Sequence, residues 1–560
     1  MNQKKVFSKL MATAAFALTA FAAVQAQSNL GANCGCPTPV SSRPTVLLST
    51  LATNGGAGDG QLLANNTILD CSKTWILDKK IYVPNGKVLT IQPGTVIKGR
   101  FRSTPDSSVA LTVERGGKIF ASGNPDCQIV FTAEADNLDG SYPISNTGKW
   151  GGICIAGKAS NNLTLAANGP FQPGVGDGKI AVADGLGTFE GFASSNSKDQ
   201  FGVNLTAGES FDDNDNSGIL RYVSIRHSGA ILQVGGELNA LSLGSVGRGT
   251  TIDHIEIVSC ADDGIEFWGG TVNVKYASML FSNDDMFDWD DGYSGKAQFI
   301  FGMKTDNTAS VDADNGFEMD ADDQKSNNTP RSHPVIYNVT MIGNNKTTLT
   351  SDGSGLAAIE AKELTEGEIY NSIFANWRYG LNLIKSLGTR TGTSEAYHNW
   401  SATAGNGSQS LKIKCNTFVN AFQKAIAIDK NGTGTATAAD SIQFFTTDLN
   451  TAVATLPGFD YNFTVNNTTN TFSVKPDVVP NPAISTTGCP VPAVDGFFTQ
   501  TNYRGAFASS GKNWLSDWSY AQIINVTPGL QPCPTDINAD GITNNVDFLL
   551  LLGQFNQSCQ

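Results

Sequence analysis

The sequence predicts an all-β chain wound as a parallel β-helix, a solenoid, and three observations predict it. From about Ile68, short runs with apolar residues at every second position are separated by Gly, Asn and Asp; Val88–Ile91, Ala110–Val113 and Gln128–Thr132 are examples. A period of two marks a strand, whose side chains alternate between faces. These runs return roughly every 20 residues. The third observation is an internal repeat. Ala261-Asp262-Asp263-Gly264-Ile265-Glu266-Phe267 returns 22 residues later as Asn283-Asp284-Asp285-Met286-Phe287-Asp288-Trp289. After a further 30 it returns as Ala313-Asp314-Asn315-Gly316-Phe317-Glu318-Met319, with weaker echoes at Tyr379–Leu383 and Lys424–Ile428. A 22-residue unit of several short strands is one coil, and the step of 30 adds an eight-residue loop to one coil. Apolar residues flanking each central position stack into interior columns, which accounts for 30 Phe in 560 residues.

Composition excludes other classes. Charged residues are 16% of the chain, against about 25% in ordinary soluble domains, and Gly numbers 59. The 37 Lys+Arg and 51 Asp+Glu give a formal charge of −14, with no basic runs. Phosphate neutralisation needs clustered Lys and Arg, so nucleic acid and anionic lipid surfaces are excluded as partners. Lys4, Lys5 and Lys9 precede an apolar run, Leu10–Val24, that ends in Val24-Gln25-Ala26. That is a signal peptide over 1–26, which predicts a secreted, extracellular or cell-surface protein with a mature chain beginning near Gln27. No later run approaches a membrane span.

Export permits disulfides among the ten Cys. Cys533 and Cys559 bracket the C-terminal segment and are the expected pair, while Cys34 and Cys36 tie down a leader over 27–64. Cys154, Cys260 and Cys415 lie in alternating apolar stretches and are expected as buried thiols. Residues 65–520 form the β-helix with its capping segment. Within it, 431–490 breaks the rhythm as an insertion, and the aromatic stretch 497–520 is expected to close an open end, where bare strand edges invite aggregation. Residues 521–532 read as a linker.

The run Leu89-Thr90-Ile91-Gln92-Pro93-Gly94-Thr95-Val96-Ile97-Lys98-Gly99, with Gly148-Lys149-Trp150-Gly151-Gly152-Ile153, resembles a family of secreted bacterial right-handed β-helix proteins. The Asp-Asp-Gly-Ile-Glu-Phe repeats and the segment Phe497–Leu515 are similar to it too. The resemblance covers about 65–520 and implies the fold and export. The broader pectate-lyase-like architecture hosts polysaccharide lyases, glycosidases and adhesive proteins, so fold alone does not choose among them.

At the C-terminus, Asp536, Asn538, Asp540, Asn544 and Asp547 occupy positions 1, 3, 5, 9 and 12 of a twelve-residue loop with Gly541 at position 6. This is the spacing of an EF-hand-type Ca²⁺ loop, in which alternate side chains converge on one hard cation and the Ile542 carbonyl adds an oxygen. With Asp547-Phe548-Leu549-Leu550-Leu551-Leu552 behind it, the segment 533–560 resembles a dockerin type I repeat, a small helical module. Dockerins carry two such repeats and this chain has one, a departure that argues against a cohesin-type partner. A Cys533–Cys559 disulfide would substitute for the missing half.

The repeats also align carboxylates into columns: Asp262, Asp284 and Asp314; then Asp263, Asp285 and Asn315; then Glu266, Asp288 and Glu318. If Ile265 and Phe267 point inward, Glu266 and its counterparts point outward, stacked at about the 4.8 Å strand spacing. Such neighbours repel by ~1 kcal/mol per pair even in water, so cations, protonation or splayed side chains must offset them. Residues 253–323 hold 17 acidic and 3 basic residues, which leaves 34 of each elsewhere: a nearly neutral rod with one negative band. Three readings remain open: a solvated face whose Asp and Asn cap turns, Ca²⁺ sites between coils, or paired carboxylates that cleave a glycosidic bond. A lyase would also need a basic residue, and Arg221, Arg226, Arg331 and Arg378 are available. His227 and His254 are candidate neighbours on successive coils. The functional expectation is a calcium-binding β-helix in adhesion, matrix building or carbohydrate binding, with extracellular polysaccharide or a surface protein as partner. The alternative is a polysaccharide-degrading enzyme, lyase or glycoside hydrolase, that uses the acidic columns.

Overall fold

In the computed structural model the described residues are 29–523, apart from 54–60, 64–65, 104–108, 166–180, 193–194, 231–235, 237, 305–314, 322–327, 345–355, 386–394, 404–407, 430–431, 462–464, 467–470, 473–476 and 510–512. The calcium loop at 536–547, Asp314, Cys533 and Cys559 therefore lie outside the described residues.

The alternating runs are strands, and the coils stack in parallel. One sheet takes one short strand per coil: Ile81–Val83, Leu111–Val113, Ile153–Ala156, Leu241–Gly244, Ile265–Trp268, Phe287–Asp290, Phe317–Met319, Ala357–Ala361, Tyr379–Leu383 and Lys424–Ile428. The register Ile265↔Phe287↔Phe317 reproduces the sequence repeat residue for residue. Both weaker echoes are strands of this sheet.

A second, larger sheet carries a longer strand per coil, bent in the middle: Gly218–Arg226, Thr251–Val258, Asn273–Leu280, Lys296–Met303 and Val335–Ile342. Each bend is one residue with positive φ: Tyr222 (49°), His254 (53°), Tyr276 (60°), Phe299 (60°) and Asn338 (59°). Left-handed backbone costs a non-glycine residue about 1–2 kcal/mol. Stacking on the outside of the bend offsets that cost: ring centroids are 4.3 Å apart for Tyr222–His254, 4.4 Å for His254–Tyr276 and 5.0 Å for Tyr276–Phe299, all within 25° of parallel.

Inside, alternation places Ile265, Phe267, Phe287, Trp289, Phe317 and Met319 in the core. Phenylalanine runs down the axis: Phe287–Phe317, Phe317–Phe374, Phe374–Phe418 and Phe418–Phe444 lie 5.4, 6.2, 5.4 and 5.4 Å apart. Full burial of each ring contributes roughly 1.5–3 kcal/mol.

Three expectations need correction. The aromatic stretch 497–520 does not close an end. It runs lengthwise along the bent sheet, where Ala506, Phe507, Leu515, Trp518 and Tyr520 cover Val258, Leu280, Phe301 and Ile342. Polar side chains of successive coils bind it: Gln298 Nε2 donates to Thr499 O (2.7 Å), Asn338 Nδ2 to Tyr503 O (3.0 Å), and buried Glu256 accepts from Tyr520 and Ala521 N–H (2.8 and 3.1 Å). Phe444, from the short helical stretch Ala438–Thr447, is what packs against the end of the Phe column. Cys415 is not a free thiol but bonds Cys489, ahead of the stretch 497–520 in the chain, whereas Cys154 and Cys260 are buried thiols. The leader is part of the solenoid: Thr45–Leu47 pairs with Thr74–Leu77 and Gln61–Leu63 with Ile81–Val83, and Cys34–Cys127 and Cys36–Cys71 tie it down.

Candidate functional site: an acidic groove

The outward column of the short-strand sheet can be read from the register. It runs Tyr82, Thr112, Cys154, Ser242, then Glu266, Asp288, Glu318, Glu360, Asn382. A three-stranded antiparallel insertion (Ala181–Ala183, Leu186–Thr188, Gln200–Gly202) packs on the first part. Phe189, Phe192, Phe201 and Leu163 form an apolar cluster with Cys154, Ala156 and Trp268. Phe201 comes so close that a Cβ at Gly244 would lie 2.3 Å from its ring, so only glycine fits there. The insertion is anchored by buried Asp199, which accepts from Tyr82 OH (2.8 Å), Asn196 Nδ2 (2.8 Å) and Lys80 Nζ (3.1 Å). Among the described residues the apolar cluster of the insertion reaches Trp268, whose register partner is Asp290. Beyond it the column is acidic.

The structure brings Asp262, Asp263, Glu266, Asp284, Asp285, Asp288 and Glu318 to this groove. Two triads place one carboxylate oxygen per residue within 4.8 Å of the others: Asp262–Asp263–Asp284 and Asp263–Glu266–Asp288. The second triad is buried, each residue at most 8% exposed. Between full charges at such separations the repulsion is roughly 3 kcal/mol at an effective dielectric of ~20. Burial, then the charges of Asp262, Asp284 and Asp288, pushes Asp263 well above the ordinary carboxylate range. Burial and the Glu318 charge push Asp285 up to about 7, against the opposing pull of Lys304. Burial also raises Asp320, opposed by Lys362.

The middle column is a turn-capping ladder. Asn239 Oδ1 accepts from Asp263 N (3.1 Å), Asp263 Oδ1 from Asp285 N (2.7 Å), Asp285 Oδ1 from Asn315 N, and Asn315 Oδ1 from Ala357 N (3.1 Å). A single acceptor per coil thus satisfies a turn N–H of the next coil, which is why Asp and Asn interchange there. Asp and Asn do cap turns in this column, but the column is buried rather than a solvated face, and capping leaves each ladder carboxylate a second oxygen.

Sequence reasoning missed several groove residues. Lys362 Nζ lies 3.1 Å from Glu318 and 3.2 Å from Asp320. Lys304 donates to the Asp284 carbonyl and, at 3.3 Å, to that of Ser282. Asn239 Nδ2 donates to Glu266, and Asn382 Nδ2 to Glu360 at 2.6 Å. Extending the repeat to Ala357–Ala361 would have found Glu360 and Lys362, because Ile359 pairs with Phe317. The candidate bases lie elsewhere: Arg221 meets Asp253 (3.6 Å), Arg331 meets Glu366 (3.4 Å), Arg226 is buried on Ser224 (2.8 Å), and Arg378 packs on Tyr379 and Gln423. His227 and His254 are not neighbours; His254 stacks in the bend column and His227 bonds Asn146 O (2.8 Å).

Every donor in the two triads is a carboxylate oxygen, with no imidazole or thiolate among them. That set fits a hard cation such as Ca²⁺ and disfavours a soft metal.

A family model described as a pectate-lyase-like beta helix domain matches residues 60–443. No curated protein matches the chain. A solved structure titled "a new PL6 alginate lyase complex with trisaccharide" is similar at 9% identity and a TM-score of 0.28, covering 78% of this chain and 92% of that one. A likeness so distant transfers no residue and no activity.

Proposed function

Because the chain belongs to the pectate-lyase-like β-helix domain family, we propose that it is an exported, calcium-dependent carbohydrate-binding β-helix that works in adhesion or matrix at the cell surface. The observation that carries this reading is the buried triad Asp263–Glu266–Asp288 at the start of the acidic half of the column. Carboxylates this close and this buried hold a cation or a proton, and a cation held there gives a sugar's hydroxyls and carboxylate something to bind. The three disulfides among the described residues fit an oxidising compartment. Among the described residues no helix is long and apolar enough to cross a membrane. The loop Asp536–Asp547 supplies a second, independent Ca²⁺ site. The reading is tested by calcium titration of the full chain followed by a glycan array with and without EDTA. Asp288→Asn should remove the groove's calcium and calcium-dependent glycan binding together; glycan binding indifferent to both EDTA and Asp288→Asn sinks the proposal.

One observation favours the enzymatic alternative. Lys362 lies 3.1 Å from Glu318 and 3.2 Å from Asp320 beside the acidic column, and a lysine that gives up its proton is a residue type that serves as general base in polysaccharide lysis. Unsaturated product released from a uronate polymer, and abolished by Lys362→Ala, would establish it; silence across a broad polymer panel leaves the binding reading.

A further inference from the structure

The run Gly148–Ile153 has a structural role that leaves one side chain unused. Trp150 is buried, stacks on Phe131 at 6.1 Å, and donates from Nε1 to Arg226 O at 2.8 Å. The backbone N–H groups of Gly148 and Lys149 donate to Ser228 O and His227 O at 2.8 and 2.9 Å. Lys149 is therefore held on a rigid frame. Its ammonium makes no hydrogen bond or ion pair among the described residues, and it lies 5.6 Å from the centre of the Phe101 ring.

Phe101 is itself 58% exposed. With Lys149, Tyr142, Glu134, Ala133 and Ala135 it lines a cavity of about 230 Å³. The Glu134 carboxylate that also lines it is paired with Arg100, which donates to both its oxygens at 2.8 Å. Tyr142 is steadied by an edge-on contact with His227 at 4.8 Å. The space suits one sugar ring rather than a larger ligand. An exposed aromatic ring with an ammonium over it that makes no ion pair among the described residues matches a pyranose that carries a carboxylate: its C–H groups pack against Phe101 and its carboxylate meets Lys149.

We propose that this cavity is a subsite for a single uronate unit, distinct from the acidic groove. The proposal rests on the carbohydrate reading but not on its calcium component. Position supports it. A Cβ at Gly148 would lie 3.4 Å from Ala261, the residue before Asp262, and Asn283 Nδ2 donates to Thr147 Oγ1 at 3.4 Å. The segment 147–149 thus borders the groove on one side and forms the cavity on the other. A polyuronate bridged to the groove through cations would meet a bare lysine next along the rim.

The test is calorimetry of the full chain with trigalacturonate, its methyl ester and trimannuronate, each in EDTA and in calcium. In EDTA at least one free acid should bind, and Lys149→Ala or Phe101→Ala should weaken it roughly tenfold, the loss of one charge-assisted or stacking contact. The methyl ester should bind wild type no better than the acid binds Lys149→Ala. Absence of binding by either acid in EDTA, or binding that both substitutions leave intact, overturns the proposal. If binding requires calcium and is lost in Asp288→Asn but not in Lys149→Ala, the carbohydrate reading stands and this subsite falls.

Discussion

The two halves of the short-strand sheet share a strand geometry, a coil and an outward column, yet they do opposite things. From Tyr82 to Ser242 the column lies beneath an apolar insertion; from Glu266 to Glu360 it is acidic and, among the described residues, outside that apolar cluster. The β-helix supplies positions at strand spacing, and what is laid over a position decides its chemistry. Ser242 and Glu266 are direct register partners, so the change from sealed to acidic occurs across one strand.

The largest effect should come from moving the boundary. Ser242 is fully buried under the insertion, and Ser242→Asp would place an uncompensated carboxylate there beside Glu266. A loss of about 3–5 kcal/mol is expected in urea denaturation, and calcium should not restore it. Restoration by calcium would mean that the insertion does not seal its half. Next is Phe201→Ala, which removes a fully buried ring packed on Phe189 (5.2 Å) and Trp268 (6.1 Å). It should cost about 3 kcal/mol while the groove's calcium stoichiometry stays constant; loss of calcium would show that the cover also shapes the groove.

A smaller effect, specific to the acidic half, is its response to pH. Asp285 is raised to about 7 in the folded state. Between its unfolded value near 4 and that value, the native state holds a proton that the unfolded chain has released. Stability in EDTA therefore falls as pH rises through this window. The thermal midpoint in EDTA should be higher at pH 5 than at pH 7, and calcium should narrow the gap by replacing the proton. His333, raised to about 9 by Glu366 and Glu368, adds a fall in the same direction at higher pH, above about 6.5. Asp285→Asn separates the two, since it should flatten only the lower part. A flat profile in the wild type would mean that Lys304 and Lys362 already compensate the column. The smallest expected effect on stability is Asp536→Ala, which should remove one calcium equivalent with a change of less than about 0.5 kcal/mol in β-helix unfolding; a larger change would place the tail against the rod.

Much of this was legible in residues alone, and the physical reason is locality. Period-two alternation and a repeat of 22 residues are properties of neighbouring residues, so the coil, the inward Phe287 and Phe317, and the outward Glu266, Asp288 and Glu318 could all be placed from sequence. Turn chemistry was half legible. Asp263, Asp285 and Asn315 aligned as a column, but their role as acceptors for the next coil's N–H depends on which backbone group stands opposite.

Contacts between distant segments were not legible. Nothing local says that 497–521 lies along the bent sheet rather than across an end. Gln298, Asn338 and Glu256 decide that, from coils more than 160 residues away in sequence. The insertion between the strands at 153–156 and 218–226 has no period to betray which strands Phe201 will cover. Lys362 was hidden because its coil keeps the register of the repeat but lacks the paired aspartates that marked the others. The sequence by itself determined the solenoid and the acidic band on it. Only the tertiary structure decided which outward positions the apolar insertion covers, because such segments pack by long-range burial that no local pattern encodes.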